Sequence, residues 1–132
     1  MARVLVDTNV LSELARPRPA RAVLTWAAEL ERFTFSVVTL EELRFGVSVR
    51  RSVKLERWLE ALVTAADIVD VTAAIAERAA EFRAARHRSG RPVTQADMFI
   101  AATASVEGIA LATRNTRDFR GLGLRLVDPF HA

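Results

Sequence analysis

Arg3 to Leu14 reads RVLVDTNVLSEL: a short apolar run stops on Asp7, and residues suited to opening a helix follow at once. β-branched Val4 and Val6 flank Leu5, which predicts a buried strand over Arg3–Val6. Thr8 or Asn9 can cap the helix that begins after Asp7. A carboxylate in that place projects from the C-terminal edge of its strand, where open α/β sheets hold their ligands. Taken alone, Asp7 has two readings, a helix cap or one member of a site. Whether further carboxylates reach the same edge decides between them.

Working outward, the first helix runs to about Ala15 and is broken by the RPRP of Arg16–Pro19. A second helix carries an apolar stripe of Val23, Leu24, Trp26, Ala27 and Leu30. Phe33–Val38 reads as a strand, and Thr39 with Glu42 has the spacing of a capping box for the helix after it. Leu55, Trp58, Leu59 and Leu62 mark another helix, and Asp67–Val71 a short strand. Thr72 begins an alanine-rich helix that stops near Ser89, Gly90 and Pro92. Thr94 starts the next, which closes at Gly108. Ile109–Ala112 is a strand, TRNTRDF a polar loop, and Leu124–Val127 a last strand. Short apolar strands alternating with helices imply an α/β fold with a parallel sheet covered on both faces. Residues 1–132 are expected to form one domain. Trp26 and Trp58 are assigned to core or subunit contact.

The chain has no cysteine, which excludes disulfides and thiolate metal sites, and no apolar run approaches the roughly 18 residues of a membrane span. The expectation is a cytoplasmic protein with no membrane partner. The formal charge is +3, and Lys54 is the only lysine among nineteen basic residues. Arginine offers a planar fork suited to phosphate. Two clusters stand out: Arg83, Arg86, His87, Arg88 and Arg91 around one helix end, and Arg114, Arg117 and Arg120 in one loop.

Helical spacing puts Glu42 beside Phe45, Gly46 and Val49, on what reads as the core-facing stripe, with the capping box as the competing role. Asp97 lies among Ile100, Ala101 and Ala104, three residues after Thr94, so capping competes there too. The strand ending at Ala112 runs into Thr113, Asn115 and Asp118. A buried carboxylate must be paired, hydrogen-bonded or bound to a cation. Four of them near one sheet edge repel each other and call for a divalent ion. Oxygen donors without Cys or a well-spaced His favour Mg²⁺ or Mn²⁺ over Zn²⁺.

DTNVLSEL, TLEELRFG, the ADMFIAATA helix and the LATRNTRDF loop, in this order, resemble the four motifs of PIN-domain ribonucleases. The likeness is to VapC-type toxins of type II toxin–antitoxin pairs and their FitB-like relatives, over essentially the whole chain. The resemblance implies a three-layer fold with a five-stranded parallel sheet, and an acidic, metal-binding and catalytic set of Asp7, Glu42, Asp97 and Asp118. Many relatives have an acid where Asn115 stands, so Asn115 is the alternative fourth ligand or a water-orienting group. Thr8 and Thr113 match small hydroxyl positions beside the site. The implied function is Mg²⁺- or Mn²⁺-dependent RNA hydrolysis, with Arg86, Arg114 and Arg117 steering the RNA backbone. The implied partners are a small antitoxin and a second copy of the chain.

Two other readings compete. A haloacid-dehalogenase-like phosphatase also opens with Asp after its first strand but needs a second Asp two residues on, where this chain has Asn9. A degenerate PIN-like RNA- or protein-binding module is opposed by retention of the acids.

Overall fold

In the computed structural model, which describes residues 3–131, five short strands form one sheet: β1 (Val4–Val6), β2 (Thr34–Ser36), β3 (Asp67–Val69), β4 (Ala110–Ala112) and β5 (Leu126–Val127). Their order is β3-β2-β1-β4-β5, and every neighbouring pair is parallel. Parallel neighbours need crossovers. These are α1 (Thr8–Leu14) and α2 (Arg21–Ala28), then α3 (Val37–Arg50) and α4 (Val53–Ala65), then α5 (Ala73–Arg88) and α6 (Gln95–Glu107), with the single turn α7 (Thr116–Phe119) before β5.

Strand alternation sends successive side chains to opposite faces and so builds two cores. Leu5 and Leu111 pack with Ile75, Met98, Ile100 and Phe119 on the α5–α6 side. Val6 and Phe35 pack with Val10, Leu11, Val23, Leu43 and Leu59 on the α1–α4 side. Burying one such side chain contributes about 1.5–3 kcal/mol, so losing Phe35 alone would weaken the second core severely. Trp26 and Trp58 lie half-buried against that core, which gives them a packing role within the chain.

The helix starts at Thr72 and Thr94 stand where the sequence predicts them, with each hydroxyl accepting the amide three residues on, and Gly108 closes α6 in the left-handed region. The third helix differs. Ser36, at the end of β2, is the N-cap and its hydroxyl accepts the Val38 amide at 3.0 Å. Thr39 and Glu42 are therefore no capping box; Thr39 is buried within the helix. A capped helix overrides the strand preference of Val37 and Val38, so the predicted strand over Phe33–Val38 ends at Ser36. The core stripe of α3 is Thr39, Leu43 and Val47. Phe45 and Val49 are 66% and 65% exposed, so the face shared with Glu42 is solvent-facing and not, as predicted, core-facing. The strands predicted over Asp67–Val71 and Leu124–Val127 are shorter, and the TRNTRDF loop contains α7.

Glu13 is a buried carboxylate that sequence reading did not single out. It accepts the Ala20 amide at 2.8 Å and pairs with Arg16 at 3.4 Å, tying the RPRP turn back to α1.

Candidate active site

The strand order reverses between β1 and β4, whose register pairs Val6 with Ala112. The next residue on each strand, Asp7 and Thr113, therefore meets the other at the carboxyl edge, the usual place for a ligand in an open α/β sheet. The Asp7 amide continues the ladder to the Ala112 carbonyl at 2.8 Å. Its side chain then turns along the edge: Oδ1 accepts the Thr8 amide at 2.8 Å and Oδ2 accepts the Thr113 hydroxyl at 2.7 Å. Asp7 is thus both the N-cap of α1 and a carboxylate at the switch point.

Thr113 is fully buried and has all its polar capacity in use. Besides donating to Asp7, its oxygen accepts the Asn115 amide at 3.0 Å and the Asn9 side-chain amide at 3.4 Å. Asn9 also accepts the Arg114 amide at 3.2 Å, which stitches α1 to the loop after β4. The sequence offers Asn9 as a cap and as the neutral residue that opposes a phosphatase, and its position two residues after Asp7 is the signal for this further role. On the other side, the Thr8 hydroxyl donates to Glu42 at 2.7 Å. The Thr8 and Thr39 hydroxyls are 3.1 Å apart, and with the Thr8 proton on Glu42, Thr39 supplies the proton of that bond.

Asp97 stands half-buried in the first turn of α6. Together with Asp118, Pro92, Val93, Thr94 and Met98 it lines a cleft of about 250 Å³. Asp118 and Asn115 are exposed, and the Asn115 side chain does not cap α7. The four acids share one field. Burial pushes the Asp7 carboxyl up to about 6, against the Thr113 and Thr8 hydrogen bonds and with further repulsion from Asp97 and Glu42. Burial also raises Asp97, with Glu42 and Asp118 adding to the shift.

Among the described residues, no Arg, Lys or His forms a salt bridge to Asp7, Glu42, Asp97 or Asp118. Asp7 buried and Asp97 half-buried, neither closed by a salt bridge, fit a cation. Among the described residues, no three His, Cys, Asp or Glu side chains stand close enough to grip one ion.

The arginines separate. Arg114 and Arg117 are exposed on the loop bearing Asp118, with the Arg114 guanidinium 4.4 Å from the centre of the Phe130 ring. Arg86 is only 6% exposed and donates to the Asp118 and Arg120 carbonyls. Its predicted place as a phosphate contact is corrected: the guanidinium is spent on the backbone beneath the loop. His87 and His131 are exposed.

A sequence profile of the PIN domain matches residues 4–123. The chain is 35% identical to VapC ribonuclease Y4jK of Sinorhizobium fredii, covering 96% of this chain and 97% of that one. It superposes on the crystal structure of FitAcB from Neisseria gonorrhoeae with a TM-score of 0.87 at 30% identity, covering 98% and 99%. A toxin–antitoxin complex from Klebsiella pneumoniae gives 0.77 at 30% identity, covering 96% and 97%. Among the described residues, no helix is long and apolar enough to cross a membrane. Motif order, switch-point acids and likeness over nearly the whole length agree: the chain belongs to the PIN-domain family, among the VapC-type ribonuclease toxins of toxin–antitoxin systems and their FitB-like relatives.

Proposed function

We propose that this chain hydrolyses RNA phosphodiester bonds in a Mg²⁺- or Mn²⁺-dependent reaction at the Asp7, Glu42, Asp97 and Asp118 site. The observation that carries the reading is that Asp7 is buried at the switch point and raised by burial, with Asp97 and Glu42 repelling it, while no salt bridge among the described residues answers any of the four acids. When bound, a divalent ion supplies Lewis-acid polarisation of a phosphate and an activated water at neutral pH. Asp7 and Asp97 would hold it, with Glu42 and Asp118 completing the charge.

The chain's own groups prepare for this. Thr113 orients Asp7 and Thr8 orients Glu42 through 2.7 Å bonds, so neither carboxylate must be ordered when substrate arrives. Arg114 and Arg117, exposed on the same rim, attract the RNA backbone toward a pocket that would otherwise repel it. Water attacks phosphorus in line and the 3′ oxygen leaves.

The proposed setting is the cytoplasm, with a small antitoxin holding the enzyme inactive, as the likeness to a toxin–antitoxin complex supports. A basic antitoxin side chain near the acids would compete with the metal. A second copy of the chain is the other proposed partner, and the exposed Phe45, Val49 and Val53 offer apolar surface for such contacts.

The test is cleavage of total RNA by purified protein, first in chelator and then with Mn²⁺ or Mg²⁺ restored, beside Asp7→Asn. Cleavage by the parent only with metal, and none by the variant, is expected. RNA binding without cleavage would leave a binding module instead.

A further inference from the structure

We propose that Arg86 is a positioning residue, which clamps the turn after α7 and so fixes Asp118 at the acidic site; its bearing on catalysis rests on the ribonuclease reading above. Arg86 lies at the C-terminal end of α5, and its Nη2 donates to the Asp118 carbonyl at 3.2 Å and to that of Arg120. Nη1 lies against Gly121, where an added Cβ would stand 3.7 Å away. Arg91 repeats the motif from beyond the helix, donating to the Arg117 carbonyl at 3.2 Å. Two arginines of the cluster, Arg86 buried and Arg91 exposed, thus hold the backbone on either side of Asp118.

The arrangement is costly enough to need a reason. Arg86 has no salt bridge among the described residues, and its Nε is buried with no hydrogen-bond partner. An unsatisfied buried donor is unfavourable. What offsets it is the pair of carbonyls, the negative end of the α5 dipole and the charge of Asp118. α7 is a single turn whose only buried residue is Phe119, so by itself it cannot hold its register. An arginine beneath it supplies the missing anchorage and places positive charge near Asp118 without closing a salt bridge to its carboxylate.

The test uses Arg86→Met and Arg86→Lys, each alone and with Asp118→Ala, read by amide hydrogen exchange and Mn²⁺ calorimetry. Arg86→Met should speed exchange over residues 117–121 while leaving β1 and β4 protected, and weaken Mn²⁺ binding by roughly 10–100-fold, the range for groups that orient ligands. Arg86→Lys, which keeps the charge but lacks the fork, should recover part of the loss. With Asp118→Ala present, Arg86→Met should change Mn²⁺ affinity no further.

Unchanged exchange in the loop would overturn the clamp. Full additivity with Asp118→Ala would overturn action through Asp118 and leave a merely structural arginine. Should Arg86→Met fail to fold, Arg86→Lys carries the same comparisons. A parent that binds no Mn²⁺ removes the metal-dependent reading itself, while the exchange pattern still upholds or overturns the clamp.

Discussion

Replacing Asp7 with Asn should make the metal-free protein more stable at neutral pH while abolishing metal-dependent cleavage. Asp7 is 4% exposed, and its carboxyl is raised from 3.8 to about 6 by burial and by repulsion from Asp97 and Glu42. A gap of about 2 units corresponds to about 3 kcal/mol at 1.36 kcal/mol per unit. Because the folded state binds this proton more tightly than the unfolded chain, the penalty is full above pH 6 and vanishes as pH falls through 6 toward 3.8. Asn keeps the cap to the Thr8 amide. Its NH₂ would face the Thr113 hydroxyl, which already accepts from Asn115, at a cost of about 1 kcal/mol. The net gain is therefore about 1–2 kcal/mol near pH 7.5, or about 2–8 °C in melting temperature. The assay is thermal unfolding of parent and variant in chelator from pH 4.5 to 8, then with Mn²⁺. The variant's advantage should shrink as pH falls through 6, and Mn²⁺ should stabilise the parent only. A variant destabilised equally at every pH would refute the reasoning and leave Asp7 a plain cap.

Three further outcomes are expected. Mn²⁺ affinity measured by calorimetry should fall about tenfold per pH unit below pH 6, one proton being displaced from the raised Asp7; a flat profile would exclude Asp7 as a ligand. Asp118→Ala should weaken Mn²⁺ binding and cleavage more than Asn115→Ala, because a full charge outweighs an amide dipole; the reverse ranking would give the fourth place to Asn115. Arg114→Ala and Arg117→Ala should each weaken RNA binding and flatten its salt dependence by about 0.7 in log–log slope for single-stranded RNA, with Mn²⁺ affinity unchanged, as titration at several salt concentrations would show.

The readings that survived from sequence rest on local rules. Short continuous apolar runs are marked at Val4–Val6 and at Ala110–Ala112, Thr72 and Thr94 cap the amides three residues on, and Gly108 takes the left-handed conformation that ends a helix. A carboxylate directly after β1, with a second strand running into Thr113, already implied a ligand-holding sheet edge. What sequence could not decide was set by partners distant along the chain. Periodicity gave α3 the right helix but the wrong cap and core face, because Ser36 competes with Thr39 only once β2 ends where its neighbours in the sheet allow. Asn9 gains its role from Thr113, 104 residues away. Arg86 reads as one more surface arginine until α5 and the loop after β4 come together over it. Backbone preference and amphipathic pattern act within a few residues and are written in the sequence. The burial of a charge, and which group answers it, depends on what the fold places opposite.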